Sequence, residues 1–540
     1  MAKRYGPVMQ VKFGSKPVLV ISSAELAREC FTVNDKALAS KLVLSQGKHL
    51  GYNYSMVAWA PYGPYWRTAR KVCVVELLSP KRIQSFVHKR MQQLRKGVNS
   101  MFQQAQLESS VNMKRFFSQL NFKTIMSMII NEKYFGEASG VSEDIVSEAI
   151  KESFVYHGCV NIGDYIPWLK WLDLQGYEKA MIRVQAQIDL FMQRILEKHR
   201  EKGSKDEEEM EDFVDVLIQQ ADENAQAIPD KDEFIKATIG IMFSAGSDTL
   251  SVAMEWALSL LLQHPHAMKK VQEELESKVG HNRLVEDSDI LELKNLQAIV
   301  RESLRLHPSA PLLSVHESVE ACTVGGYHIP TRTMLFVNTW AIHRDPKLWD
   351  KPREFMPECF MDREIDVNNI QMKADDLEII PFGVGRRGCP GAVLAMNMVQ
   401  LTLASFLHSF EWSIPAGKVI DMNEGVGLTM PRVVPLEVWK ILCSARELFC
   451  NHAFGGKEPT YRYEQLVERF VQVCRDLLLS LKVLGSQVCG RDDKYWNLEL
   501  EKARVTQPND VRRCLKISFD NLDSVEKHIF MDIACFYNAR

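Results

Sequence analysis

The 540-residue chain carries no excess of charge. Its 66 basic and 69 acidic residues leave a net −3, which excludes the strongly basic surface of a nucleic-acid-binding protein. No uninterrupted apolar stretch of about 20 residues reads as a membrane span. The nearest, Ala237 to Leu262, is broken by Ser247, Asp248 and Glu255 and reads as a buried core helix. No signal peptide is read, and the twelve cysteines follow no regular spacing; a reducing compartment and no disulfide framework are expected. No C-x-x-C or nearby Cys/His pair flanks Cys389, so a four-ligand structural zinc site is excluded there. The phosphate-loop pattern ending in Gly-Lys-Ser/Thr is missing as well. No internal repeat is present.

What is there centres on Pro381-Phe382-Gly383-Val384-Gly385-Arg386-Arg387-Gly388-Cys389-Pro390-Gly391. One cysteine sits in a glycine-rich loop, and an apolar helical run, Ala392 to Phe410, follows. Gly383, Gly385 and Gly388 allow a tight turn with N–H groups directed at the sulfur. The helix start directs its positive end there too, which is expected to lower the thiol pKa. Gly391 lets a flat group lie against the backbone. A free cysteine is otherwise most often a small buried hydrophobe, which serves for most of the other eleven. A single thiolate suits a cofactor that brings its remaining ligands along, as haem does.

Phe382-x-x-Gly385-x-Arg387-x-Cys389-x-Gly391 resembles the haem-ligand signature of the cytochromes P450, with every defining position present. The resemblance runs over about residues 4–440. It implies a mainly helical fold with small β-sheets, haem bound through Cys389, and O2 as co-substrate. It further implies electrons from NADPH through a reductase partner, and insertion of one oxygen atom into a small apolar substrate. Plant members begin with a membrane-anchor helix and a proline-rich hinge. This chain reads as starting after both, so the expected location is the cytosolic face of the endoplasmic reticulum, or the cytoplasm for an anchorless form.

Along the chain, Val8 to Phe13 and Pro17 to Ser22 read as a hairpin turning at Gly14-Ser15, and Ala24 to Asn34 as a short helix. Trp66 and Arg70 share a helix face. By themselves they read as a basic turn on a surface helix; the resemblance implies contacts to haem propionates, as it does for His316 and Arg387. Residues 80–200 carry mostly helical periodicity, broken near Asn161 to Trp168, and the charge run Glu197 to Asp212 reads as an exposed connector. Phe234 to Gln263 is a long apolar helix flawed at Ala245-Gly246-Ser247-Asp248-Thr249. Gly246 costs about 1 kcal/mol against Ala, and Thr249 can turn its hydroxyl to a carbonyl one turn back. A local opening and an ordinary small-residue helix contact both fit these residues. The resemblance implies the oxygen-activation motif, with Thr249 and Asp248 delivering protons. It also places the substrate pocket along Ala245 and Gly246, the segment after Pro308 with Leu312, and the loop Gly425 to Pro431 with Leu428. Two short strands are expected around that loop, and two or three between Ser314 and Asn338.

Glu302-x-x-Arg305 is an i,i+3 pair that means little alone; the resemblance makes it a buried structural pair. Where the family has Pro-Glu-Arg-Phe, this chain has Pro357-Glu358-Cys359-Phe360. Loss of one member of a buried charged network costs about 3–5 kcal/mol, so weakened haem retention is expected unless Arg363 substitutes. Reductase docking is expected on Lys71, Arg386 and Arg387.

Residues 443–540 change character and read as amphipathic helices, an all-helical C-terminal fragment. Phe530-Met-Asp-Ile-Ala-Cys-Phe536 and the stretch before it resemble the second half of the nucleotide-binding (NB-ARC) region of plant immune receptors, a module associated with ADP. With no phosphate loop, and Asp476-Leu477-Leu478-Leu479 in place of Gly-Leu-Pro-Leu, nucleotide binding is not expected. The alternative readings are a non-catalytic fusion or truncated product, and a nucleotide-regulated immune component.

Overall fold

The structure, a computed structural model, describes residues 2–107, 110–130, 143–202, 212–280, 283–361, 379–412, 414, 417–439, 449, 453–454, 461–474 and 484–505. Helices dominate. The central one, Lys231–Gln263, is capped by Asp230, whose side chain accepts from the Glu233 N–H. From Ala237 to Leu262 all but six of its residues are buried. Around it pack Met113–Ile129, Lys294–Leu306 and Ala392–Ser409. Ala392–Ser409 is the helix among the described residues long and apolar enough to span a membrane, and 78% of it is buried. It is therefore a core helix, and it, rather than Ala237 to Leu262, comes nearest to a span.

Among the described residues, three small sheets flank the helices. The main one has the order β1 (Val8–Phe13), β2 (Lys16–Ile21), β7 (Met334–Val337), β4 (His316–Glu317). β1 (Val8–Phe13) and β2 (Lys16–Ile21) form the expected hairpin, with Val8 opposite Ile21 and Phe13 opposite Lys16. Gly14 turns it at φ 57°, and a Cβ there would fall 2.3 Å from the Tyr165 carbonyl oxygen. β7 (Met334–Val337) runs parallel to β2, and β4 (His316–Glu317) antiparallel to β7. β5 (Cys322–Val324) and β6 (Tyr327–Ile329) make a separate hairpin. The expected helix Ala24 to Asn34 ends earlier, at Phe31.

Between Ser314 and Asn338 four strands stand where two or three were expected, and two further features depart from the sequence reading. The loop around Gly425 to Pro431 is closed by a single bridge, Glu424 to Arg432, rather than by two strands. The last strand, β8 (Glu437–Trp439), pairs instead with β3 (Ser110–Asn112), inside the stretch read as helical. Its partner is more than 300 residues away in sequence, so no local pattern announces it.

The charge run after Glu197 lies partly outside the described residues, but its ends are not merely exposed. His199 is buried and its two ring nitrogens face the Ile195 carbonyl at 2.8 Å and the Asp212 carboxylate at 2.9 Å. Asp212 also caps helix Phe213–Glu223 through the Val214 and Asp215 N–H groups. In the C-terminal segment, helices Tyr461–Cys474 and Asp493–Val505 pack with Phe449 and Phe454 around Trp496. Asp476 to Leu479, Val511 to Asp523 and Phe530 to Phe536 lie outside the described residues, as does Arg363.

Candidate functional site

The cysteine loop is built from short backbone ties. The Cys389 N–H donates to the Phe382 carbonyl at 2.8 Å, Gly388 to Gly385 at 3.0 Å, and Gly383 to Ile380 at 3.1 Å. Gly383 and Gly385 have φ of 66° and 73°, in the region that favours glycine. Gly388 does not; a Cβ there would lie 3.3 Å from the Gly385 carbonyl oxygen, and its own carbonyl accepts from Arg70. Cys389 is half-buried. Burial pushes its thiol pKa up, while the Gly391 N–H and the Arg70 guanidinium pull it down, and the net shift is upward. The net direction is opposite to the lowered pKa expected from the helix start: desolvation outweighs the Gly391 N–H and Arg70. A metal would have to displace the proton on binding.

Beside the thiol lies a set of basic side chains, Lys41 and His316 buried and Arg70 and Arg387 half-buried. Arg387 donates to the carbonyls of Ala39 (2.6 Å), Val57 (3.1 Å) and Ala60 (2.6 Å), and stacks over Trp66 at 4.2 Å. Trp66 donates to the same Val57 carbonyl at 3.1 Å. His316 Nδ1 meets the Leu38 carbonyl at 2.9 Å. Lys41, which no sequence motif singled out, is only 4% exposed and donates to Ser314 Oγ at 2.7 Å. Among the described residues no carboxylate pairs with Arg70, Arg387, Lys41 or His316. Their pKa values are all depressed by burial: Arg387 to about 9, with Arg70 adding repulsion, and Lys41 further by Arg387. Buried positive charge without an anion is costly. Such a cluster suits a ligand that brings carboxylates.

One face of the central helix is left partly open. From Ala237 to Leu262, the residues not buried are Ile241, Met242, Ala245, Gly246, Asp248 and Thr249. They fall on one face over two turns, in the middle of an otherwise buried helix, which marks an internal cavity. The site where a Cβ would sit on Gly391 has no atom within 4 Å. A sulfur donor, open space over a glycine and an anion-seeking cradle fit a flat, dicarboxylate-bearing haem.

The helix does not open at Gly246. It is continuous through 245–249, and Thr249 Oγ1 donates to the Ala245 carbonyl at 2.5 Å. Gly246 is needed for packing: a Cβ there would lie 2.4 Å from Ile125 Cδ1. Asp248 is held by Thr429 Oγ1, which donates to its carboxylate at 2.7 Å. Ser309 Oγ donates to the Thr249 carbonyl at 3.1 Å, and the Met430 N–H to the Ser309 carbonyl at 3.0 Å. The three segments expected to frame a substrate are therefore knit together. Leu312 and Leu428 on two of them are 43% and 39% exposed, so each lies toward an opening rather than in the core.

Glu302 and Arg305 are buried and bonded side to side, Arg305 Nε and Nη2 each 2.7 Å from a Glu302 oxygen. The remaining Arg305 donors reach the carbonyls of His343, Pro352 and Glu354, and the Met356 N–H donates to Glu302 at 2.7 Å. Burial raises the Glu302 pKa and Arg305 opposes it. Cys359 is exposed. The pair has a full complement of partners without position 359. His343 extends it: its Nε2 accepts the Ile380 N–H at 2.7 Å, and Ile380 leads into the cysteine loop. Arg387 is turned inward by its carbonyl partners, which removes it from the docking surface expected with Lys71 and Arg386; Lys71 is exposed, and Arg386 pairs with Asp35.

The family model for cytochrome P450 matches residues 1–435. Xanthotoxin 5-hydroxylase of Arabidopsis thaliana is 40% identical over 453 residues, covering 81% of this chain and 86% of that protein. Flavonoid-6-hydroxylase of Ocimum basilicum is 39% identical over 454 residues, covering 81% and 84%. A zebra fish cytochrome P450 solved with progesterone shares the fold, with a TM-score of 0.67, 24% identity, and 81% and 97% coverage. The thiol loop, its cation cradle and these likenesses agree, and the chain belongs to the cytochrome P450 family of monooxygenases.

Proposed function

We propose that this chain binds haem at Cys389 and hydroxylates apolar, ring-bearing plant specialised metabolites. The observation that carries the reading is the cluster of half-buried Arg70 and Arg387 with buried Lys41 and His316, which has no carboxylate partner among the described residues, beside the Cys389 thiol and the open space over Gly391. Haem, when bound, supplies O2 activation and transfer of one oxygen atom. Cys389 would ligate its iron. Arg70, Arg387, Trp66 and His316 would hold the propionates, with Arg387 offering a fork suited to a carboxylate. Phe382 and Gly391 would line the flat faces. Thr249 Oγ1, which rests on Ala245, and Asp248, held by Thr429, would store and pass protons on the cavity side. Ala245, Gly246, Leu312 and Leu428 would border the substrate, whose aromatic ring class is suggested by relatives named for xanthotoxin and flavonoid hydroxylation.

Electrons would come from an NADPH-dependent reductase docked near Lys71 and Arg386. Charge reversal at both should slow haem reduction about tenfold at low salt and less at high salt; an unchanged rate removes that surface. The family suggests the cytosolic face of the endoplasmic reticulum. We also place a domain boundary near residue 440, with residues 443–540 as a helical appendage; its likeness to an NB-ARC region rests on sequence wording alone.

The test is the spectrum of the reduced protein with carbon monoxide. A strongly red-shifted Soret band supports thiolate ligation by Cys389, and Cys389→Ser should abolish it. A blue-shifted band, or no haem, overturns the reading in favour of a non-catalytic product.

A further inference from the structure

The segment that carries Thr429 is a hairpin fixed at both limbs. The limbs meet at the Glu424–Arg432 bridge, where the Gly425 N–H donates to the Pro431 carbonyl at 2.6 Å and the Val433 N–H to the Asn423 carbonyl at 3.0 Å. Val426, Gly427 and Leu428 at the tip are exposed, whereas Thr429 and Met430 are buried. The buried limb lies on the central helix. Thr429 Oγ1 donates to the Asp248 carboxylate at 2.7 Å, and the Met430 carbonyl accepts from Trp256 Nε1 at 2.8 Å.

The other limb ends on a charge. The Glu424 carboxylate accepts from Trp340 Nε1 at 2.8 Å and from Arg344 Nη2 at 3.0 Å, and His307 Nδ1 lies 3.0 Å from it. The Arg344 and His307 side chains are only 9% and 11% exposed. His307 in turn stacks on Trp256 of the central helix, ring centres 3.7 Å apart. Burial opposes ionisation of Glu424, but His307, Arg344 and Trp340 outweigh it and hold the carboxyl below its usual range. Hydrogen bonds to a carboxylate from a shielded arginine and an indole are strong and directional. The exposed tip with its glycine has no such restraint. The placement of Thr429 is therefore set five residues away, at Glu424.

We propose that Glu424 is a positioning residue: by anchoring this hairpin to Arg344 and Trp340 it holds Thr429 against Asp248, and so fixes where the Asp248 carboxylate points. The proposal rests on the proton-delivering role proposed for Asp248 and adds the device that keeps that group in place. Glu424, Arg344 and Trp340 act through Thr429 and do not touch the reacting atoms.

The test uses the full-length holoenzyme with an NADPH-dependent reductase and three readouts. These are the carbon monoxide band, the peroxide released per NADPH, and labelling of Asp248 by a water-soluble carbodiimide with glycine ethyl ester, read by peptide mass spectrometry. Thr429→Val removes the bond to Asp248 directly and should raise labelling and peroxide about fivefold, the worth of one hydrogen bond. Glu424→Leu should do the same from a distance. Glu424→Gln, which keeps an acceptor for Trp340 and Arg344, should stay near wild type. The double variant Glu424→Leu with Thr429→Val should match Thr429→Val alone, because both act through one bond. Trp340→Phe removes one donor and keeps a ring; it should raise labelling part-way, and it decides the question if Glu424→Leu does not fold. Unchanged labelling and peroxide in folded Glu424→Leu or Trp340→Phe overturn the proposal, and so do additive effects in the double variant. A wild type without the thiolate band would sink the haem reading, while the same labelling pattern would leave the anchor standing and its absence would overturn it.

Discussion

At the scale of single residues, the Glu302–Arg305 pair decides how much position 359 matters. All five Arg305 N–H groups have acceptors, and Glu302 accepts three donors. The penalty argued from sequence assumed that a missing arginine leaves a buried orphan. None is left, because Arg305 and the Met356 N–H satisfy Glu302, main-chain carbonyls accept from the remaining Arg305 donors, and His343 carries the linkage on to Ile380. Cys359→Arg is therefore expected to leave haem occupancy, measured by pyridine haemochrome, within experimental error. Arg305→Leu, which strands Glu302, should cost about 3–5 kcal/mol by denaturant unfolding. The loop around Cys389 was legible in the sequence because its glycines and sulfur are local to one another. Lys41, His343 and Thr429 were not, because each acts on a partner from a distant segment and resembles any other lysine, histidine or threonine.

At the scale of elements, the central helix was read to its end at Gln263 and from three residues inside its start, with two readings of Gly246 left open. The fold takes the small-residue contact, where glycine admits Ile125, and not the local opening. The Thr249 hydroxyl takes a carbonyl already bonded within the helix, so its loss should cost little stability. Thr249→Val is expected to keep the spectrum and the melting temperature while product formed per NADPH falls roughly tenfold or more and peroxide rises. Unchanged coupling would end the proton-delivery role. A second element-level device ties helix Tyr177–Lys202 to helix Phe213–Glu223. Both ring nitrogens of His199 face acceptors, which requires the imidazolium. Burial opposes that charge, but the hydrogen bond and charge of Asp212 outweigh it and raise the pKa above its usual value. The contribution is fully present below about pH 6.5 and is lost as pH rises through the raised value. The difference in unfolding free energy between wild type and His199→Gln should be about 2 kcal/mol at pH 6 and shrink toward pH 9. A difference that does not change with pH would mean the ring is neutral throughout.

At the scale of the molecule, the question is what residues beyond 440 contribute. The family match ends at 435, just before β8 closes the chain back onto β3. Amphipathic periodicity made the following helices legible, but not what they pack on. Their buried side chains gather on Trp496, and that group joins the same contiguous cluster of buried residues as the main core. The segment therefore covers apolar surface, and uncovering that surface costs free energy in proportion to its area. No group in the thiol loop, the cation cradle or the cavity face of the central helix comes from it. Ending the chain after Trp439 should thus preserve the carbon monoxide band and its position while lowering the melting temperature by several degrees. Loss of the band with the fold intact, judged by circular dichroism, would make the C-terminal helices part of the haem domain and move the boundary past residue 505. An unchanged melting temperature would mean that their contact with the core contributes nothing, and that they stand as an independent unit.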